Sequence, residues 1–313
     1  MRKQEMIIGL AAILLVVLFL FFRAAVTDSF IMMGRLERLF TLVLVSLTIA
    51  YATITFQTIS GNRILTPSLM GYEHLFVLSQ VFMLMILGSD SALFRSKVWG
   101  FIFSTVMMVA YSFVLYIFLF RGHKKNVYYV LLIGLVLGIF FSTTTQFLQM
   151  AIDPNEYEYV QSAMFSSLGR TSMDTLLIAL AIMAALFLYL KRYFKYLDIL
   201  SLGREYAMGL GVDYDDLTRK QLLAISVLVS VSTALIGPIT FVGIFVSGIT
   251  YRLSDTASHA QTIGLAFGIA LILMIGAEFI IEHILNYKHS LSVLINLLGG
   301  IYFFVLIIKK LRT

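Results

Sequence analysis

The residues best placed to do chemistry in this chain are polar side chains that interrupt long apolar stretches. They are amides and hydroxyls. The set is Gln57, Gln80, Thr143, Thr144, Thr145 and Gln146. Because amides and hydroxyls are costly to bury against lipid, such residues favour the lining of a polar path through a membrane. For the three threonines, the alternative is that each hydroxyl bonds to a carbonyl of its own helix.

Catalytic chemistry has little support in the sequence. There is no cysteine, and the five histidines (His74, His123, His259, His283 and His289) show no metal-ligand spacing. No nucleophile with a base is visible at membrane depth, so an intramembrane enzyme is not favoured. A Gly-x-x-x-x-Gly-Lys loop is also absent, so the chain should not hydrolyse ATP by itself. Glu73 and His74 follow a predicted inner loop within one turn, where we expect water to solvate them.

The elements that must position these residues are apolar helices. Sixty per cent of the chain is apolar and 13% is charged, and the charges fall between blocks of about 20 residues, the length that spans a bilayer. This pattern predicts an all-α, polytopic membrane protein, with residues 1–313 forming a single transmembrane domain. The ten blocks are 5–23, 39–59, 69–88, 97–120, 127–151, 172–190, 220–236, 238–251, 262–281 and 292–308.

The eighth block is too short to cross the membrane as a straight helix, and Pro238 at its start predicts an offset or kinked segment. Nine or ten spans therefore fit the hydropathy. Basic residues near span ends stay in the cytoplasm, and ten spans with both termini cytoplasmic place 16 of the 23 basic residues inside. The net charge of +6 thus reflects topology, and no basic stripe interleaved with aromatics indicates nucleic-acid binding.

The largest inner segment lies between Lys191 and Lys220. Its small residues at positions 203, 207 and 211 are four apart, which predicts one helix face that another backbone can approach closely. Asp213 and its acidic neighbours are suited to cap the next helix. The spacing indicates one or two short cytoplasmic helices with a contact surface, and a packed loop is the open alternative.

One further stretch carries a resemblance. Gly237–Ile244, read with Arg252, is similar to the GPIxFVGL...R signature of the FecCD family, the permeases of iron-siderophore and vitamin B12 ABC importers. Three other stretches agree in order with family motifs: Arg35–Arg38 with RLPR, Gln57 and Asn62–Gly71 with Q...NPLAxPxLLG, and Gly203–Val212 with GxxxAxxLGV. The resemblance covers about residues 30–308. Departures include Ser247-Gly248 for Pro-His and Glu37 for the proline of RLPR.

The resemblance implies the permease subunit of a type II ABC importer in a bacterial cytoplasmic membrane. Its partners would be a second FecCD-type permease or a copy of itself, two cytoplasmic ATPase subunits, an extracytoplasmic siderophore-binding protein and the surrounding lipid. ATP and Mg²⁺ would bind to the ATPase subunits, and this chain would hold no cofactor and no metal.

The resemblance also assigns roles to residues. The segment at about 199–218 would dock on the ATPase, through Gly203, Ala207, Leu210, Gly211 and Val212. The outer residues Arg35, Glu37, Arg38 and Glu282 would meet charged groups of the binding protein. For the two arginines, the alternative is that they anchor the chain at the lipid headgroups.

The cargo implied is a ferric siderophore of catecholate or mixed-ligand type, because Asn62–Pro67 and Phe165–Ser167 look closest to a branch of the family with such substrates. Haem or a cobalamin is the alternative cargo. An ion-coupled secondary transporter is less favoured, since only Glu278 and Asp174 approach the depth at which such proteins place charges.

Overall fold

The computed structural model describes residues 3–22, 29–120, 127–153, 156, 158, 161, 165, 167–254, 256 and 258–311. These residues form helices and connecting segments, without strands. The helices are α1 (Lys3–Phe21), α2 (Ser29–Ser60), α3 (Tyr72–Leu87), α4 (Ala92–Arg95), α5 (Lys97–Phe120), α6 (Val127–Gln149), α7 (Met173–Lys191), α8 (Phe194–Leu200), α9 (Arg204–Gly209), α10 (Tyr214–Ile236), α11 (Val242–Leu253), α12 (His259–His283) and α13 (Leu291–Leu311).

The predicted all-helical membrane architecture is confirmed. Within the described residues, seven helices are long and apolar enough to cross a bilayer, namely α1, α2, α5, α6, α7, α10 and α12. Shorter apolar helices lie in α3, α11 and the first part of α13. Each of the ten predicted blocks contains one of these helices. The count of spans that cross the membrane and the cytoplasmic location of the termini remain predictions.

Helix α2 is longer than the sequence predicted. It begins at Ser29 and not at residue 39, and its 32 residues extend about 48 Å at 1.5 Å per residue. That length exceeds a hydrocarbon core of about 30 Å. The sequence predicts that Arg35 and Arg38 lie outside the span, but both bind partners in the structure, so their charges do not interrupt the helix.

The centre of the bundle is formed by α2 and α10. In the most apolar windows of these two helices 78% of the residues are buried, compared with 11% in α1. Helices α1, α6 and α7 therefore expose most of their apolar side chains at the rim, as expected for surfaces that meet lipid or a partner subunit.

Two irregular segments enter the bundle between helices. Residues 61–71 connect α2 to α3, and Gly71 in this segment packs on α6 so closely that an added Cβ would lie 2.9 Å from the carbonyl oxygen of Gly134. Gly71 also has a φ of +86°, which favours glycine. Gly134 and Gly138 form a small-xxx-small pair that permits this approach.

The second irregular segment, residues 237–241, connects α10 to α11. Helix α11 has only 12 residues, as the short eighth block predicted. An added Cβ on Gly243 would lie 2.7 Å from Thr53 Oγ1 and 2.9 Å from Thr66 Cγ2, so α11 begins in contact with α2 and the first irregular segment. Residues 61–64 are exposed, whereas the later part of the first segment and residues 237–241 are buried or half-buried. Shielding by protein is the condition for non-helical backbone inside a bilayer.

Candidate translocation and coupling sites

A polar cavity of about 290 Å³ opens beside α3, α6, α13 and the turn before α11. Its polar lining consists of Glu73, His74, Ser142, Thr145, Gln146, Thr240, Ser292 and Asn296. These groups come from four separated parts of the chain. Eight of the twelve lining residues carry polar side chains, so the cavity can take a polar solute or water.

Two of the six predicted path residues, Thr145 and Gln146, line this cavity. Thr143 and Thr144 do not. All three threonine hydroxyls, that of Thr145 included, donate to carbonyl oxygens of their own helix at 2.8 to 2.9 Å, which is the bonding that the sequence left open as an alternative.

The other two predicted path residues join helices away from the cavity. Gln57 is 2% exposed, and its Nε2 donates to the carbonyl oxygen of Arg63 at 2.7 Å and to Ser247 Oγ at 2.9 Å. It therefore connects the end of α2 to the first irregular segment and to α11. Gln80 Nε2 donates to Ser104 Oγ at 2.6 Å and so joins α3 to α5.

Among the cavity residues, Glu73 differs from the sequence-based prediction in its exposure to water. We expected it to be solvated near an inner loop, but it is only 8% exposed. Its carboxylate accepts hydrogen bonds from the Thr240 hydroxyl and from the backbone N–H of Ile239. The reason is that residues 61–71 enter the bundle, so α3 starts inside it. An acidic residue in the first turn of an apolar helix was the available signal.

At the end of the bundle predicted to be extracytoplasmic, Arg35 is enclosed. Its Nη1 donates to the carbonyl oxygens of Phe19, Leu20 and Phe22 at 2.8, 3.2 and 3.1 Å, where α1 ends. Its Nη2 donates to Glu282 Oε1 at 2.7 Å. Arg35 therefore satisfies carbonyls that the end of a helix leaves unpaired, and its positive charge is favourable at the negative end of the helix dipole.

Arg38 lies beside Arg35 and is more accessible, with 29% of its side chain exposed. It donates to Glu282 Oε2 at 3.4 Å and to the hydroxyl of Tyr287. Burial raises the pKa of Tyr287 to about 12, so this hydroxyl stays protonated. We call Arg35, Arg38, Glu282 and Tyr287 the outer cluster.

This arrangement changes the docking hypothesis for the extracytoplasmic side. Arg35 is 4% exposed, so it does not present its charge to another protein, and Glu282 is paired with both arginines. Glu37 and Arg38 line an open hollow of about 580 Å³ together with Lys97 and Lys288. The accessible charge beside the outer cluster therefore includes Glu37, Arg38 and the two lysines.

The predicted coupling segment contains the short helix α9, and the small-residue stripe does not lie on one face of it. Gly203 precedes the helix with a φ of +91°, and Gly211 follows it with a φ of +79°. The N–H groups of Gly211 and Val212 donate to the carbonyls of Met208 and Ala207, both at 3.0 Å, which is a Schellman motif. The stripe prediction was wrong because both glycines lie outside the helix.

The exposed surface of this segment is apolar and comes from residues that the stripe did not include. Ala207 is fully buried, whereas Leu202, Tyr206, Met208 and Leu210 are 55%, 72%, 48% and 62% exposed. Among the predicted coupling residues only Leu210 belongs to this group. Alternating exposure within a six-residue helix cannot be read from the sequence, because it depends on which side packs on α8 and α10.

A bundle of apolar helices with irregular segments and a polar cavity between them is an arrangement that suits a membrane transport protein. The chain belongs to the FecCD transport family, which matches residues 5–309. Members of this family are membrane permease subunits of ABC importers, and a separate subunit carries the ATPase activity. The predicted family and the absence of enzymatic activity are thus confirmed.

Two proteins of Bacillus subtilis (strain 168) described as petrobactin import system permease proteins are similar to this chain. YclO is 39% identical over 311 residues, which cover 99% of this chain and 98% of YclO. YclN is 24% identical over 285 residues, which cover 88% of this chain and 85% of YclN.

A solved structure described as an inward-facing conformation of a metal-chelate type ABC transporter has the same fold. Its TM-score is 0.81, and the match covers 98% of this chain and 99% of that chain at 20% sequence identity.

Proposed function

We propose that this chain is a permease subunit through which an ABC importer brings a ferric siderophore of petrobactin type into the cytoplasm. The observation that carries the proposal is the 39% identity to YclO over 99% of the chain. The sequence led us to expect a siderophore of catecholate or mixed-ligand type, and the name of YclO narrows this proposal to petrobactin. Haem and cobalamin remain the alternative cargoes.

The cavity supports a subunit that works in a pair. Ser142, Thr145, Gln146 and Asn296 line an open cavity at membrane depth, and lipid is a poor neighbour for amides and hydroxyls. A second permease placed against α6 and α13 would close the cavity and supply an opposite wall. Both a related permease and a second copy of this chain can do so, and YclO and YclN, two different permease proteins from one organism, favour the related partner.

We place the contact with the ATPase on Leu202, Tyr206, Met208 and Leu210. These apolar side chains lie on the short helix α9 and in the turns that flank it, at the face predicted to be cytoplasmic, where exposed apolar groups indicate a protein contact. The glycines at both ends and the buried Ala207 fix the orientation of α9. ATP and Mg²⁺ would bind in the partner subunit.

The cargo is tested by uptake of ⁵⁵Fe in the native organism. Deleting the gene should abolish uptake of ferric petrobactin, and a plasmid copy should restore it, while uptake of a ferric hydroxamate stays unchanged. Unchanged petrobactin uptake with loss of haem or cobalamin uptake would transfer the proposal to the alternative cargo.

A further inference from the structure

An imidazole at the face predicted to be cytoplasmic joins three helices. His259 begins α12 and is 7% exposed. Its Nδ1 lies 2.7 Å from Asp198 Oδ1 on α8, and its Nε2 lies 2.8 Å from Thr58 Oγ1 in the last turn of α2. We call Thr58, Asp198 and His259 the inner cluster. None of the transport roles assigned above uses it.

The hydrogen bonds of the inner cluster can be satisfied in two ways. Thr58 Oγ1 has one hydrogen and lies 2.9 Å from the carbonyl oxygen of Ile54 as well as near His259 Nε2. If the hydroxyl donates to Ile54, then Nε2 must carry a hydrogen and donate to Thr58 Oγ1. If the hydroxyl donates to Nε2, the ring is neutral with its hydrogen on Nδ1. Both arrangements connect Asp198 to α2 through the ring.

Asp198 also holds the start of α12. Its Oδ1 accepts the backbone N–H of His259 at 2.7 Å, and Ser258, which precedes the helix, makes no capping bond with its own side chain. The carboxylate of α8 thus acts as the missing cap of α12. A displacement of α8 would therefore act on the end of α12 through two hydrogen bonds.

The three helices of the inner cluster connect to the coupling segment, to the first irregular segment and to the outer cluster. Helix α8 leads within three residues into α9, which carries the proposed ATPase contact. Thr58 follows Gln57, which bonds to the first irregular segment and to α11. Helices α2 and α12 run antiparallel, and their other ends meet at the outer cluster through Arg35 and Glu282.

We propose that Asp198, His259 and Thr58 are the positioning residues that transmit displacement of the coupling segment to α2 and α12. The inference rests on the proposed ATPase contact at α9. His259 acts through its neighbours and touches no cargo. Removing the Thr58 hydroxyl should uncouple the displacement of α8 from that of α2.

The test uses Thr58→Val in the complete importer reconstituted in liposomes, with the partner permease, ATPase subunits and binding protein. The readout is ferric chelate imported per ATP hydrolysed. Valine keeps the branched shape and removes only the hydroxyl. We expect import per ATP to fall about three- to tenfold, the range for one lost hydrogen bond, with the thermal midpoint lowered by only a few degrees. A structural role alone would change the midpoint and leave this ratio at the wild-type value.

Thr41→Val is the matched control. Thr41 lies on the same helix, is buried, and makes the same own-helix bond, donating to the carbonyl oxygen of Glu37 at 2.8 Å. It should leave import per ATP unchanged, and Thr58→Ser should restore the wild-type ratio. Equal ratios for Thr58→Val and Thr41→Val would overturn the inference.

A second variant tests the same inference if Thr58→Val assembles poorly. Asp198→Asn retains an acceptor for the His259 backbone and removes the charge, so it should also lower import per ATP. Combined with Thr58→Val it should lower the ratio no further than the stronger single change, because both interrupt one path. Additive losses would contradict a shared path.

Failure of the wild-type importer to move petrobactin would instead contradict the proposed cargo, and failure of ATPase to bind would contradict the contact at α9.

Discussion

The two ends of the α2–α12 pair are joined by different chemistry. At the outer cluster, Arg35 is nearly fully buried, carries a full charge and donates to three carbonyls and a carboxylate. At the inner cluster, a single side-chain hydrogen bond, between Thr58 and His259, joins α2 to α12. Asp198, which completes that cluster, is 46% exposed in its side chain.

This difference suggests a fixed end and an adjustable end. Removing one partner of a buried ion pair typically costs about 3–5 kcal/mol, because the other charge stays buried, whereas one hydrogen bond between uncharged groups contributes about 1 kcal/mol. The outer cluster therefore holds α1, α2 and α12 in one arrangement. The inner cluster can change its hydrogen bonds at small cost, as required of a region that responds to ATPase.

The sides assigned to the two ends are tested first, because the expected effect is all-or-none. The chain has no native cysteine, so each introduced thiol gives an unambiguous signal. Asp90→Cys should react with an impermeant maleimide in intact cells, since its side chain is 96% exposed on the predicted outer face. Glu205→Cys, exposed on α9, should react only after the cells are permeabilised. The reverse pattern would exchange the two ends and every role assigned by side.

The largest energetic effect is expected at the fixed end. Arg35→Gln should destabilise the permease by about 3–5 kcal/mol, because Glu282 loses its closest partner and the end of α1 loses its cap. The measurement is the thermal midpoint of the purified protein, together with its amount in membranes.

The matched control for Arg35→Gln is Arg95→Gln, which removes an arginine from an exposed pair with Asp90. That pair should contribute about 0–1 kcal/mol. Similar midpoints for the two variants would show that the outer cluster is not a fixed end.

A smaller effect is expected where the adjustable end meets the ATPase. Tyr206→Ala should weaken ATPase binding about tenfold or more, as for a central aromatic contact, without changing the thermal midpoint of the permease. Affinity is measured by titrating ATPase against the permease in nanodiscs. Tyr129→Ala, an exposed tyrosine outside the coupling segment, should leave affinity unchanged.

Comparing buried Ala207 with exposed Tyr206 gives a second test of the ATPase contact on α9. Ala207→Trp should lower both the thermal midpoint and ATPase binding, because Ala207 is fully buried and a large side chain cannot fit there. If Tyr206→Ala binds ATPase as tightly as the wild type, the exposed face of α9 is not the contact.

The smallest effect on stability is expected for Arg38→Gln. Arg38 is partly exposed and shares Glu282 with Arg35, so its loss should cost about 1 kcal/mol or less. Binding-protein association should slow and lose part of its salt dependence, because rim charges act mainly on the association rate. Stopped-flow measurements at two salt concentrations check this. Rates and salt dependence equal to the wild type would remove Arg38 from the docking surface.

Periodicity and local rules predicted the helices well. The apolar blocks predicted ten apolar helices, and their bounds agree with the structure within four residues, apart from the starts of α2 and α10. The length of an apolar stretch needed to span a bilayer is a property of the local sequence. Local chemistry also predicted the cap of α10, where Asp213 Oδ1 accepts the N–H of Asp216 at 3.0 Å. The short eighth block likewise predicted a short α11, since a proline starts it.

The site was predicted less well, because it depends on which face of each helix is buried. Thr143, Thr144 and Thr145 are adjacent in sequence, yet only Thr145 lines the cavity. Arg35 and Arg38 share a motif, yet one is enclosed and the other is accessible. Ala207 was expected on a contact surface and lies under it. Sequence spacing gives the separation of residues around a helix but not the direction of its neighbours.

By itself the sequence determined that this chain is a helical membrane permease of the FecCD transport family, because hydropathy, charge placement and short motifs are local properties. Only the tertiary structure decided that Glu73 is buried beside Thr240, and that His259 connects Asp198 to Thr58. Those pairs are 167, 61 and 201 residues apart. Contacts at such separations form only when distant helices pack, and packing depends on the complementary shapes of whole helix faces.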